Sequence, residues 1–188
     1  MAILLSTSTS TSTSLLLLLL LLSSTISTAT QKPIPRAKKE MQSHLHFYWH
    51  DIVAGPSPTA IRVAEAPSSN KSAASFGVVV TIDDPMTAGP EPSSKLLGRA
   101  QGFYAFVGKD KLALLVAMNL AFMDGKYNGS TITILGRNEV VTPVREMPVI
   151  GGSGLFRLAR GYALAKTYSF NTTTGDTVVE YDVYVMHY

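Results

Sequence analysis

The sequence predicts an all-β domain, an antiparallel closed β-barrel of about eight strands. Three observations lead there. From His44 onward, large and small or apolar and polar residues repeatedly alternate with a period of two. Turn residues (Gly, Pro, Asn, Asp) recur at the spacing of a small barrel. The chain has 188 residues, 46% of them hydrophobic and 15% charged, which suits one domain with a sizeable core.

Taken in order, the first thirty residues carry no charged side chain and hold a leucine run from Leu15 to Leu22. That run has the length of a signal h-region and is too short to span a bilayer. Residues 1–29 are therefore expected to be a secretory signal, with small residues at Ser27-Thr28-Ala29, although the stretch before the leucines lacks Lys and Arg. Residues 30–42 read as a flexible N-terminal arm, and 43–188 as the barrel. A secreted, extracellular location follows, with no membrane contact after cleavage. The chain has no cysteine, so disulfides cannot contribute to its stability.

His44 to Val53 reads as a strand. Leu45, Phe47, Trp49 and Asp51 share one face, and His44, His46, Tyr48 and His50 share the other. Asp51 ends an apolar row. Desolvation there would raise its pKa toward general acid–base use; the alternative is a cap on the Gly55-Pro56 turn. Ala60 to Ala64 is a short strand. Phe76 to Ile82 is a strand that ends at Asp83-Asp84-Pro85, where at most one acid can face a pocket. Leu97 to Val107 follows, with Gly102 leaving room beside Tyr104. Leu112 to Phe122 is apolar on both faces. Read as a strand, it needs a cover on its outer face, which argues for a homo-oligomer. Ser130 to Leu135 alternates Thr and Ile, and Gly136-Arg137-Asn138 is expected to begin a loop. Gly151, Gly152 and Gly154 mark a bend between two extended runs. Arg145, Arg157 and Arg160 enter apolar surroundings, where each must find water or an anion. Val178 to Tyr188 is the last strand.

Several function classes are excluded or disfavoured. The net charge of +3 comes without a run of five basic residues, so nucleic acid is not indicated. There is no G-x-S-x-G elbow, and Arg157 stands where a dinucleotide loop needs its third glycine. His44, His46 and His50 raise a metal reading. No glutamate follows at ligand spacing, so no metal is expected and the histidines read as a solvated polar face. Asn70, Asn128 and Asn171 open N-x-S/T sequons and are expected glycosylation sites.

Five stretches carry a resemblance. They are HFYWHDIVAGPSPTAIRVA (His46 to Ala64), GRAQGFYAF (Gly98 to Phe106), NLAFMDGKYNGSTITILGRN (Asn119 to Asn138), VREMPVIGGSGLFRLARGYALAKT (from Val144) and VVEYDVYVMHY (Val178 to Tyr188). Together they resemble the plant dirigent proteins, whose barrel is of the calycin or allene-oxide-cyclase type. The resemblance implies no cofactor and no oxidation by the chain itself. A separate laccase or peroxidase makes phenoxy radicals, for instance from coniferyl alcohol, and the barrel steers their coupling in lignan biosynthesis. It implies catalytic roles for Asp51, Tyr104 and Arg145, and substrate contacts from Thr167, Phe106, Asn138 and Asp83 or Asp84. It also implies a homo-oligomer, a trimer more than a dimer. Lignan-forming relatives tend to carry an aromatic hydroxyl where Phe106 stands and an acid where Asn138 stands. The sequence therefore also resembles pterocarpan synthases, which dehydrate an isoflavanol through a quinone methide. A third reading is a cell-wall scaffold in lignin deposition.

Overall fold

The computed structural model describes residues 39–188. The expected signal segment and most of the expected arm lie outside those residues. Nine strands follow in order: β1 (Met41–Asp51), β2 (Ala60–Ala64), β3 (Val79–Thr87), β4 (Leu96–Phe106), β5 (Ala113–Phe122), β6 (Thr131–Glu139), β7 (Arg145–Ser153), β8 (Arg160–Phe170) and β9 (Thr177–His187). All pairings are antiparallel. The sheet runs β1-β9-β8-β7-β6-β5-β4-β3, and β1 then pairs with β3 through Tyr48↔Thr87 and Trp49↔Met86. That contact closes an eight-stranded barrel and removes the open edge. Short β2 lies along the other half of β3, Ala60 opposite Ile82, where β1 has already ended.

The period-two reading of each strand holds in the burial. In β9, Val179, Tyr181, Val183, Val185 and His187 are buried, while the residues between them are half-buried or exposed. β5 is a strand, with Leu114, Val116, Met118 and Leu120 inside and Leu115, Ala117, Asn119 and Ala121 outside. Gly102 does face a close neighbour: a Cβ there would lie 2.1 Å from the Ala117 carbonyl oxygen.

Four expectations need correction. β1 starts at Met41, paired with His187, so the last two arm residues belong to the barrel. Asp83-Asp84-Pro85 does not end its strand; β3 runs through to Thr87, and Pro85 is tolerated because only β4 pairs it, β2 reaching no further than Ile82 and β1 joining at Met86. Gly136, Arg137 and Asn138 are not a loop but the end of β6, paired with β5. His50 does not share the solvated face of His44 and His46. It is buried, with Nε2 2.6 Å from Thr87 Oγ1.

The two ends of the barrel differ. Gly154 has φ +62 and opens a 3-10 turn that drops Phe156 into one end. There Phe156 meets Tyr127 and Phe122, with ring centroids 4.8 and 5.6 Å away, and closes the interior. The other end, where β1 finishes and β7 begins, stays open.

Candidate functional site

A cavity of about 800 Å³ occupies the open end. Its apolar walls include Val80, Leu114, Phe106 and Val179, each placed inward by strand alternation. Asp51, Tyr104, Phe106, Asn138, Arg145 and Thr167 all line it, although they come from five different strands. The fold thus gathers six of the seven residues to which the sequence assigned catalytic or substrate contacts. The seventh, Asp83, it does not.

Asp51 is the last residue of β1 and continues the inner row of Phe47 and Trp49. The residue is 9% exposed. Burial pushes its pKa up to about 6; the bond from Tyr104 opposes that rise and the charge of Asp176 adds to it. The Tyr104 hydroxyl donates to Asp51 Oδ2 at 3.1 Å. Burial, and then Asp51 itself, raises the Tyr104 pKa, so the phenol keeps its proton. Phe106 sets its ring against Tyr104, centroids 5.9 Å apart.

Beside Asp51 lies a second acid. Asp84 is fully buried on the inner row of β3 with Ile82 and Met86. Burial raises its pKa to about 8; the Thr59 hydroxyl, donating to Oδ1, offsets part of the rise, and the Asp51 charge adds to it. Its other oxygen and the neighbouring Trp49 indole nitrogen stand without a completed hydrogen bond. At neutral pH Asp84 is therefore largely a neutral acid, and Asp51 is the one poised to change state. Asp83, by contrast, points outward. It accepts hydrogen bonds from Arg99 at 2.6 Å and Gln101 at 3.0 Å on the outer face of β4. The alternation of Val80, Ile82, Asp84 and Met86 would have identified Asp84 as the inward acid, had the strand been carried through Pro85.

Arg145 opens β7, three strands round the ring from β1. It is 5% exposed. Its Nε donates to Asn138 Oδ1 at 3.1 Å and its Nη1 to the Thr142 carbonyl at 3.4 Å. Among the described residues no carboxylate lies within ion-pair distance, so it finds neither bulk water nor an anion. Burial pulls its pKa down. Arg157 and Arg160 took the ordinary routes: both are exposed, and Arg160 pairs with Glu40 at 2.8 Å. Thr167 stands at the rim, where the β8–β9 register slips. The three sequon asparagines, Asn70, Asn128 and Asn171, are exposed.

The site therefore combines a buried proton donor and an uncompensated buried cation within one set of apolar walls. Such an arrangement binds an aromatic body, supplies a proton at one point and stabilises negative charge at another.

The family model for the dirigent-like protein matches residues 42–186. "Dirigent protein 21" of Arabidopsis thaliana is 55% identical over 155 residues, 82% of each chain. "Pterocarpan synthase 1" of Glycine max is 51% identical over 152 residues, 80% of this chain and 82% of that one. The solved structure of the pterocarpan synthase dirigent protein GePTS1 superposes with a TM-score of 0.77 at 50% identity, covering 81% of this chain and 94% of that one. Family match, strand order and sequence identity agree, and the chain belongs to the dirigent-like protein family.

Proposed function

We propose that the chain removes water from a phenolic carbinol of the isoflavanol class and closes the resulting quinone methide into a ring, without oxidising it. One observation carries this reading: Asp51, an acid titrating near 6, and the buried, uncompensated Arg145 line one and the same apolar cavity. Dirigent proteins act with phenolic substrates, and the similarity to pterocarpan synthases lends support.

In this reading the phenol binds as phenolate against Arg145, releasing its proton to water. Its electrons flow to the carbinol carbon as the hydroxyl leaves, taking the Asp51 proton to become water. The neutral quinone methide is then attacked at that carbon by a second phenolic hydroxyl of the same molecule. That hydroxyl's proton returns to Asp51, the phenolate re-forms beside Arg145 and regains a proton on release. The net change is loss of one water. Arg145 and Asp51 act in the transition state, where charge is moving, and Tyr104 holds Asp51 in place.

Stereocontrol of phenoxy-radical coupling is a second reading. The volume of about 800 Å³ and a mouth with exposed Val141 and Phe170 favour it, because two phenylpropanoid rings must enter together. A laccase or peroxidase would then be a partner. Two parallel incubations separate the readings: an isoflavanol with no oxidant, and coniferyl alcohol with a one-electron oxidant. Ring-closed product in the first supports dehydration. Optically active dimer only in the second supports coupling. Product in neither supports a wall scaffold.

We propose a homo-oligomer formed through the apolar outer patch of Phe103, Leu115 and Leu135, each about two-fifths exposed. Sedimentation of the purified protein tests it. Secretion and sequon occupancy are tested by the mass of the exported protein before and after amide-linked glycans are removed.

A further inference from the structure

The outer wall of the barrel carries a second polar cluster, remote from the cavity chemistry. His44 and His46 project from the outer face of β1, and Glu180 and Asp182 from the outer face of β9, because strand residues two apart share a face. The full-length β1–β9 pairing sets His46 opposite Asp182 and Tyr48 opposite Glu180. His44 Nε2 lies 2.7 Å from Asp182 Oδ1, and His46 Nε2 lies 2.9 Å from Glu180 Oε1. Ligand atoms of His46, Glu180 and Asp182 all fall within 4.8 Å of one another. In the sequence no glutamate follows the histidines at ligand spacing. The acids come instead from β9, more than 130 residues on, delivered by register.

Two features distinguish this from an ordinary patch of surface charge. The imidazoles are oriented by neighbours: His44 stacks on Tyr184 with centroids 4.5 Å apart and planes 7° from parallel, and His46 meets Tyr48 edge-on at 5.3 Å. In addition, neither acid is paired with a lysine or arginine among the described residues, so both charges remain for a cation. We propose that His46, Glu180 and Asp182 bind one borderline divalent transition-metal ion, of the Zn²⁺ and Cu²⁺ class, bridging β1 to β9, with His44 bonded to Asp182 beside them. An imidazole with two carboxylates suits that class. Mg²⁺ and Ca²⁺ prefer oxygen throughout. Ligands held about 2.0–2.1 Å from a tetrahedral ion lie about 3.4 Å apart, so the His46–Glu180 pair, now at 2.9 Å, needs to open by about half an ångström. All three side chains are partly exposed and can make that adjustment.

The test is calorimetric titration of the untagged full chain with ZnCl₂ at neutral pH, alongside electron paramagnetic resonance of the chain with Cu²⁺. One ion per chain is expected, with nitrogen hyperfine coupling on the copper. His46→Asn and Glu180→Gln should each weaken Zn²⁺ binding about tenfold or more, and His46→Asn should also remove the nitrogen coupling. Asp83→Asn, an exposed acid elsewhere on the wall, should leave binding unchanged. Circular dichroism establishes that each variant is folded. Absence of both binding heat and nitrogen coupling in the parent chain would overturn the assignment. So would Zn²⁺ affinity unaltered in both folded variants, or lost equally in Asp83→Asn.

Discussion

Replacing Asp51 with Asn should make the protein slower and more stable at once. The carboxyl rises from 3.8 to about 6 on folding, chiefly through burial. Two pH units at about 1.4 kcal/mol each make about 3 kcal/mol. The sign follows from the direction. The folded state favours the protonated acid, so this group's contribution is fully present below pH about 4 and is lost as pH rises through about 6. At neutral pH the ionised Asp51 therefore costs about 3 kcal/mol that an uncharged amide does not, and the amide oxygen can still accept from Tyr104. The variant should show a raised Tm at neutral pH and little change at pH about 4. Its rate of isoflavanol dehydration should fall about 10²- to 10⁴-fold, the usual contribution of a general acid. The parent kcat/KM should decline as pH rises above about 6, and the variant's residual rate should lack that limb. Parallel thermal melts and chromatographic rates across pH about 4 to 8 read both effects. A variant that keeps the parent rate, or one whose Tm drops at neutral pH, would refute the reasoning.

Four further outcomes follow from the same geometry. Arg145→Leu should lower kcat by about 10²- to 10³-fold through loss of phenolate stabilisation, yet remain folded, since no buried carboxylate is orphaned; steady-state kinetics and circular dichroism check this. Tyr104→Phe removes a bond that holds the Asp51 pKa down, so the falling limb of the pH–rate profile should move to higher pH. Asp83→Asn should leave rate and product unchanged within about twofold, because it lies outside the cavity and pairs with Arg99 on the surface. Gly102→Ala should destabilise the barrel by more than about 3 kcal/mol or abolish soluble expression, because its methyl would strike the Ala117 carbonyl oxygen.

Much of this architecture is legible in the chain because strand alternation is local. The inward rows of β1 and β9 are written directly in Phe47-x-Trp49-x-Asp51 and Val179-x-Tyr181-x-Val183. What was illegible depends on partners distant in sequence. A proline after two acids reads as a turn, yet β3 continues through Pro85, which moves Asp84 into the interior and Asp83 onto the wall. Asn138 reads as loop because Gly136 precedes it, and only pairing with Leu114 holds it in β6 where it can accept from Arg145. The three histidines of β1 look alike in sequence, but closure onto Thr87 buries His50 while β9 supplies acids to His44 and His46. Local periodicity fixes which way a side chain points; register decides what it meets.

The most direct measurement is a crystal structure of the protein with a ring-closed isoflavonoid product. The account predicts the aromatic body inside the open end of the barrel, a phenolic oxygen within hydrogen-bond reach of Arg145, and the newly bonded carbon on the Asp51 side. A product bound on the outer wall, or one inside the barrel with its phenol turned away from Arg145, would contradict it.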